Sequence, residues 1–237
     1  MQSNIDYLSA ATLSPEKTSW MEAFAPATTM APMRCAIGTA RGIPQIAGKA
    51  LDLGCGAGLY SAWLVKRGWQ VHALDLNLLP SIQGAKTMRH DLEKGIPFPD
   101  QTFDLALAWD VLEHLVEEKQ MWHELARVLC PGGILLGSVP HKADERLRRH
   151  NLTFKHHIDK THQREYSPKD IEEKMGSAQL TPTAIELKGP VSPQVISEFV
   201  GFKMARRPVA LMVGAARRLG LLTFGELYAD VFFAAKR

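Results

Sequence analysis

The chain has 237 residues, of which 46% are hydrophobic and 22% are charged, and its formal net charge is +3. These values are typical of a globular protein with one well-buried core, and they exclude a disordered or fibrous chain. The mild positive charge does not indicate a nucleic-acid partner, which would need a clustered basic face.

Two further absences restrict the protein class. The cysteines are odd in number and widely spaced, so they predict neither a disulfide framework nor a cysteine zinc site. No stretch approaches the ~20 apolar residues of a membrane-spanning helix, and the first residues lack the pattern of a signal peptide. We therefore expect a cytoplasmic protein.

The chain begins with a predicted helical lead-in over residues 1–44, because Ser14 and Pro15 are typical of a helix start. Residues 45–237 are predicted to form one domain, in which short apolar runs alternate with helical stretches. Strands that are apolar on both faces and separated by helices predict a parallel sheet covered on two sides. The predicted strands are Ala50–Leu53, Val71–Leu76, Thr87–His90, Phe103–Trp109 and Ile134–Val139.

Two helices and two later strands complete the predicted order. Helical spacing of apolar residues predicts one helix over Val111–Leu129, ended by Pro131. Ser167 is the predicted N-cap of a second helix, with Asp170 three residues later. The last predicted strands are Thr183–Leu187 and Tyr228–Ala234, and the stretch between them, about 190–226, is predicted to form a helical cap.

A glycine-rich turn follows the first predicted strand, with glycines at positions 54, 56 and 58. Glycine lets the backbone approach a ligand closely, but such a turn can also be purely structural. A dinucleotide fingerprint would place its third glycine at position 59, which is Leu59 here. Asp52, just before the glycines, suits a ligand that carries an amine rather than a pyrophosphate.

An acidic residue ends the second predicted strand. Asp75 lies about 20 residues after the glycines, where a carboxylate can accept hydrogen bonds from both ribose hydroxyls of a nucleoside. Proteins that bind nicotinamide dinucleotides and proteins that bind other adenosine ligands both have such an acid. Asp75 therefore does not distinguish between these two classes of ligand. The alternative is that Asp75 only caps the following turn.

The segment Leu51–Gly58 resembles the first motif of the class I S-adenosylmethionine-dependent methyltransferases. Further matches follow in the family's order: Asp75, Arg89–Leu92, Ile96–Asp104, Trp109–Leu115 and Leu129–Gly133. The set is similar to the small-molecule branch that includes quinone-biosynthesis methyltransferases. The resemblance implies an α/β fold: a Rossmann-like, doubly wound, seven-stranded sheet, mostly parallel with the last strand antiparallel. It also implies S-adenosylmethionine as the cofactor.

The resemblance also assigns cofactor-binding roles. One group would hold the methionine part, a second the ribose and adenine, and Trp109 would lie beneath the cofactor. The residues that would hold the methionine part are Asp52, Gly54, Cys55 and Gly56. The residues that would hold the ribose and adenine are Asp75, Leu76, Asp91 and Leu92.

The catalytic candidates follow the fourth and fifth strands, at the carboxyl edge where open α/β sheets bind ligands. His141 and His114 are the predicted bases, and Glu113 and Tyr166 the predicted substrate contacts. The alternative for Glu113 and His114 is an ordinary place in the first turn of a helix. The histidines of 141–166 contain no pair four residues apart and no nearby cysteine, so we expect no metal site.

We therefore predict a methyltransferase that acts on O, N or C of a small-molecule acceptor. Alternatives are a non-catalytic, cofactor-binding regulatory subunit and a nicotinamide-dependent oxidoreductase, which Leu59 disfavours. The basic, apolar stretch 199–224 is predicted either to contact a membrane surface or to cap the substrate pocket. The sequence leaves the oligomeric state open.

Overall fold

A computed structural model describes residues 47–77, 81–142, 160–190, 212, 215–216, 218–221 and 228–237. Its strands are β1 Lys49–Leu53, β2 Gln70–Asp75, β3 Ala85–Arg89, β4 Phe103–Trp109, β5 Leu129–Pro140, β6 Thr181–Pro190 and β7 Tyr228–Lys236. Its helices are α1 Leu59–Val65, α2 Glu118–Val128 and α3 Pro168–Ser177, with 3₁₀ turns at Leu92–Lys94 and Leu112–His114. The predicted lead-in 1–44 and nearly all of the predicted cap 190–226 lie outside the described residues.

The strands form one seven-stranded sheet in the order β3-β2-β1-β4-β5-β7-β6. The pairs from β3 across to β5 are parallel, whereas β7 runs antiparallel to both β5 and β6. The predicted fold class, a doubly wound sheet that is mostly parallel with an antiparallel last strand, is therefore confirmed.

The two faces of the sheet bury different apolar clusters. On β1, Leu51 and Leu53 join the cluster that α2 and α3 cover, and Ala50 joins the cluster on the α1 side. Successive residues of a strand point to opposite faces, so a strand buried on both sides must be apolar throughout. This is why the central strands could be recognised as short continuous apolar runs.

The predicted helix Val111–Leu129 is wrong in its first part. A 3₁₀ turn occupies Leu112–His114, Leu115 is extended, and α2 begins only at Glu118. The carboxylate of Glu93 accepts hydrogen bonds from the backbone N–H groups of Val116, at 2.6 Å, and Glu117, at 3.3 Å. This side chain satisfies donors at the start of α2, so the new helix can begin there.

The carboxyl end of α2 also differs from the prediction. The helix ends at Val128, and β5 begins at the next residue, Leu129, rather than at Ile134. The β4–β5 register jumps here, because Phe103 pairs with Leu129 whereas Leu105 pairs with Ile134. The residues 130–133 therefore bulge out of the ladder. β6 and β7 also extend beyond the predicted ranges, whereas β3 begins before the predicted Thr87 and ends before the predicted His90.

A buried carboxylate joins α2 to α3 and to the segment 160–166. Glu118 is 1% exposed and contacts Arg164 Nη1 and Lys174 Nζ, each at 2.7 Å. Trp122 Nε1 donates to its other oxygen at 2.7 Å. Burial alone would raise the pKa of Glu118, but the hydrogen bonds from Lys174, Trp122 and Arg164 lower it overall.

The predicted start of α3 is confirmed. Ser167 Oγ accepts from Asp170 N–H at 3.2 Å, and Asp170 Oδ2 accepts from Ser167 N–H at 2.7 Å, which completes a capping box. Lys142 Nζ lies 2.7 Å from the same carboxylate.

Among the described helices, none has the length and apolar character needed to cross a membrane. The cytoplasmic location stays a prediction.

Asp170→Asn is expected to lower the free energy of unfolding at neutral pH by about 1 kcal/mol. Partial burial would raise the pKa of Asp170, but hydrogen bonds from Lys142 and Ser167 lower it to about 2, from an ordinary value of 3.8. A lowered folded-state pKa stabilises above the unfolded-state pKa, and this contribution is lost as the pH falls towards 2. Urea unfolding across that acidic range measures the effect.

The matched control for this prediction is Glu173→Gln, on the same helix, where the side chain is 66% exposed. The control is expected to unfold like the original chain at every pH. A deficit in Asp170→Asn that did not shrink on acidification would contradict the assigned ion pair.

Candidate functional site

The turn between β1 and α1 has a backbone that only glycine adopts readily. Gly54, Gly56 and Gly58 have φ values of 61°, 49° and 74°, in the left-handed region. A Cβ on Gly54 would lie 2.7 Å from Val111 Cγ2, and one on Gly58 would lie 2.2 Å from Ile82 Cδ1. Backbone conformation and close packing therefore both require glycine in this loop, which lies at the carboxyl edge of the sheet.

The end of β2 holds this loop in place. Asp75 Oδ2 accepts from the N–H of Gly56 at 2.9 Å, and Asp75 Oδ1 accepts from the N–H of Asn77 at 2.9 Å. The backbone N–H of Cys55 donates to the carbonyl of Leu74 at 3.1 Å. Each carboxylate oxygen has a second lone pair, so Asp75 can cap the following turn and still accept ligand hydroxyls.

Asp52 lies on β1 with its carboxyl group directed at α1. The residue is 1% exposed, and Ser61 Oγ donates to Asp52 Oδ2 at 2.6 Å. Burial raises the pKa of Asp52 to about 7, although the hydrogen bonds from Ser61 oppose the change. In this conformation Asp52 joins β1 to α1, and its predicted contact with a bound amine stays a prediction.

The other predicted nucleoside contacts follow β2 and β3, two neighbouring parallel strands. Leu76 is 59% exposed just after β2, so its side chain is open to a ligand. After β3, Asp91 accepts from the N–H of Glu93 at 3.1 Å and caps a 3₁₀ turn, in which Leu92 is buried. These residues lie at the same sheet edge as the glycine loop, as the motif order predicted.

Trp109 ends β4 within a group of aromatic side chains. Its ring stacks on Tyr60 with centroids 5.2 Å apart and meets Phe232 edge-on at 6.0 Å. Trp109 is 8% exposed, and its Nε1 is buried without a hydrogen-bond partner among the described residues. A buried N–H of this kind suits a ligand acceptor. No motif in the sequence indicates Tyr60 or Phe232, which reach Trp109 from α1 and β7.

Two acidic residues lie beside this aromatic group. Asp110 has a φ of 48°, and its Oδ1 accepts from Ser138 Oγ at 2.6 Å. On β7, Asp230 pairs with Pro140, and Phe232 pairs with Ser138. Because alternate residues share a face, Asp230 lies on the face that carries Phe232 and Trp109.

The electrostatics of the two acids differ from those of surface carboxylates. Burial, reinforced by the neighbouring Asp110 carboxylate, raises the pKa of Asp230 to about 7. Part of Asp110 is open to solvent, yet desolvation raises its pKa too, against the opposing effects of Ser138 and His114. Asp230 is not among the site residues predicted from the sequence, although a charge inside the apolar run Tyr228–Ala234 is a usable signal.

The predicted bases lie at the carboxyl ends of β4 and β5. His114 Nδ1 is 3.0 Å from Thr161 Oγ1, and its ring meets that of His162 with centroids 4.6 Å apart. His141 forms an isolated parallel bridge with Tyr166. The predicted substrate contacts Glu113 and Tyr166 are each only 1% exposed. Their contact with a substrate therefore stays a prediction.

Known proteins match the central part of the chain. Residues 51–137 match the family model described as a methyltransferase domain. The chain is 27% identical over 146 residues to the ubiquinone biosynthesis O-methyltransferase of Klebsiella pneumoniae, covering 55% of this chain and 59% of that relative. It thus spans only about half the length of the curated relatives it matches.

Solved structures share the fold. An S-adenosylmethionine-dependent methyltransferase from Mesorhizobium loti has a TM-score of 0.59 at 20% identity, covering 90% of this chain and 99% of that one. The 1,6-didemethyltoxoflavin-N1-methyltransferase of Burkholderia thailandensis, solved with its substrate and S-adenosylhomocysteine, has a TM-score of 0.57 at 17% identity, covering 100% and 91%. The glycine loop and Asp75 fit the same cofactor.

Asp75→Asn is expected to weaken binding of S-adenosylhomocysteine by about 1–3 kcal/mol, because a charged acceptor of the ribose hydroxyls becomes neutral. Isothermal titration calorimetry measures the affinity directly. The matched control is Glu172→Gln, an exposed acid on α3, which is expected to bind like the original chain. Equal affinities for all three proteins would refute the ribose assignment.

Proposed function

We propose that this chain, which carries a class I S-adenosylmethionine-dependent methyltransferase domain, methylates a hydroxyl oxygen of a small aromatic molecule. The bound cofactor supplies an electrophilic methyl group. The chain itself then has to hold the cofactor, align the acceptor and remove the hydroxyl proton. Alignment alone can contribute several kcal/mol to such a transfer.

The raised pKa of Asp230 is the observation on which the choice of oxygen as the acceptor atom depends. A hydroxyl acceptor must lose a proton, and a general base works best when its pKa is close to the working pH. The pKa of Asp230 is raised to about 7. The name of the Klebsiella pneumoniae relative, an O-methyltransferase, agrees with this choice of acceptor atom.

The aromatic group beside Asp230 supports the choice of an aromatic acceptor. Tyr60 and Trp109 form a stacked pair near the ends of the central strands, next to the glycine loop. Aromatic rings favour offset stacking or edge-to-face contact with a further ring. On this proposal the two rings orient the acceptor, the loop backbone at 54–56 holds the methionine part of the cofactor, and Asp75 holds its ribose.

The other roles predicted from the sequence also stay proposals. His114 and His141 are alternative bases, since both follow strands that end at this edge. A small-molecule acceptor without nucleic-acid partners agrees with the mild net charge of +3. The proposed membrane contact through 199–224 falls almost entirely outside the described residues. Leu59 continues to disfavour a nicotinamide cofactor.

The direct test incubates the purified chain with S-adenosylmethionine and a matched panel of acceptors. The panel pairs phenols and catechols with anilines of the same skeleton, and mass spectrometry reads both S-adenosylhomocysteine and the methylated product. Turnover of hydroxyl acceptors, with a product heavier by one methylene group, is expected. Methylation of the anilines alone would contradict the proposed acceptor atom.

The panel also separates the regulatory alternative from an enzyme. A cofactor-binding regulatory subunit would bind S-adenosylhomocysteine in calorimetry, produce none with any acceptor, and co-purify with a second protein. That combination of results would overturn the proposed activity without changing the assigned fold.

Asp230→Asn is expected to lower turnover of a hydroxyl acceptor at least tenfold at pH 8, because an amide cannot accept the hydroxyl proton (about 10²–10⁴-fold is typical of general-base loss). In the original chain, kcat/KM should rise with pH through about 7 as Asp230 loses its proton. The variant should lose this rise and keep its affinity for S-adenosylhomocysteine.

The control for this prediction is Asp100→Asn, which removes an exposed carboxylate in the turn before β4, at the opposite edge of the sheet. It should keep both turnover and the pH profile. An Asp230→Asn profile that matched the original chain would exclude Asp230 as the base.

A further inference from the structure

Three side chains with metal-binding atoms meet beside the end of β4. Glu113 and His114 end the 3₁₀ turn that follows this strand, and His162 comes from the segment 160–166. One potential ligand atom from each residue lies within 4.8 Å of those of the other two. A single cation can contact three atoms that are this close to one another.

The local environment favours a bound cation. Glu113 is 1% exposed, and a metal ion can compensate the charge of a carboxylate that is removed from water. Both imidazoles are only partly exposed. The rings meet at 78°, so they are not stacked face to face.

The backbone around the three side chains is held by independent contacts. Gln163 N–H donates to the Glu113 carbonyl at 2.8 Å. Arg164 Nη2 donates to the Val116 carbonyl at 2.9 Å, while its Nη1 reaches Glu118 at 2.7 Å. The segment with His162 is therefore fixed to the turn with Glu113 by side-chain and main-chain bonds. Such preorganisation is what a metal site requires of its ligands.

One hydrogen bond also allows a ligand nitrogen of His114 to be free. Thr161 Oγ1 lies 3.0 Å from His114 Nδ1. When Nδ1 carries the proton and donates it to this hydroxyl, Nε2 is left with its lone pair for a metal. Histidine ligands usually make a supporting bond of this type through their second nitrogen.

We propose that Glu113, His114 and His162 bind a divalent transition-metal ion of the zinc type. Two imidazoles and one carboxylate suit Zn²⁺, whereas Mg²⁺ prefers a shell made of oxygen atoms. Three protein ligands leave a coordination position open, as in zinc sites that bind a further molecule. The spacing of histidines within 141–166 could not reveal this site, because two of its three ligands lie outside that segment.

The proposed metal site lies close to the glycine loop. Val111, two residues before Glu113, occupies the space that a Cβ on Gly54 would need. Asp110 precedes Val111 and interacts electrostatically with both His114 and Asp230. An ion held by the turn after Asp110 is thus placed at the same edge as the acceptor residues. Its binding does not depend on the proposed methyl transfer.

The experiment uses the full, untagged chain after treatment with EDTA and removal of the chelator. Zn²⁺ affinity is measured by competition with a chromogenic chelator, and bound metal is counted by mass spectrometry. One Zn²⁺ per chain is expected, with no comparable binding of Mg²⁺. Glu113→Gln and His162→Ala should each weaken Zn²⁺ binding ~100-fold or more, since losing even an indirect partner of a ligand can cost up to about 100-fold.

The matched control is His123→Ala, which removes an exposed histidine on α2 and should leave Zn²⁺ affinity unchanged. Circular dichroism checks that each variant is folded. A chain that binds no stoichiometric Zn²⁺, or variants at 113 and 162 that bind like the control, would overturn the proposal.

A measurement on the unaltered chain decides the matter if the variants do not fold. Co²⁺ should produce visible absorption bands of a nitrogen- and oxygen-liganded ion, and one equivalent of Zn²⁺ should remove them. Absence of such bands would overturn the proposal. Because neither cofactor nor acceptor is present, this failure is distinct from a failure of methyl transfer.

Discussion

The hydrogen bond between the Asp75 carboxylate and the N–H of Gly56 connects the end of β2 to the loop that follows β1. The rest of the site depends on this connection. With its left-handed glycines held by Asp75, the loop turns directly into α1, where Ser61 reaches back to the buried Asp52. The parallel strands explain where the site lies, because β1 to β5 all end at the same edge of the sheet.

The carboxylates of Glu118, Asp52 and Asp230 fall into two classes with different consequences. Glu118 is surrounded by Arg164, Lys174 and Trp122, which lower its pKa despite burial, so it serves as an ionised link between helices. Asp52 and Asp230 have no cation among the causes of their shifts, and burial raises the pKa of each to about 7. A fixed charge suits structure, whereas a carboxyl group that titrates near neutrality suits proton transfer.

Much of the fold follows from local pattern. The central strands are apolar on both faces, the glycines at 54, 56 and 58 require a turn, and the Ser167–Asp170 capping box marks the start of α3. The break before α2 could not be predicted in this way. It depends on Glu93, whose carboxylate binds the backbone N–H of Val116, 23 positions further along the chain. Amphipathic spacing carries no information about such a distant cap.

The candidate site, like the fold, could be predicted from the sequence only in part. The order of motifs predicted the cofactor residues at one sheet edge, because parallel topology alone brings them together. It could not predict that Asp52 is directed at Ser61, nor that β7 carries Asp230 to the face of Trp109. The contact of His114 with His162 joins residues 48 positions apart. These arrangements depend on tertiary packing, which a spacing rule does not describe.

We propose that the glycine loop and Asp75 bind an S-adenosylmethionine-type nucleoside. Isothermal titration of the same purified chain with S-adenosylhomocysteine and with NADH distinguishes this ligand from a nicotinamide dinucleotide. We expect saturable binding of one S-adenosylhomocysteine per chain and no saturation by NADH. Saturation by NADH without binding of S-adenosylhomocysteine would overturn the proposed role of the loop.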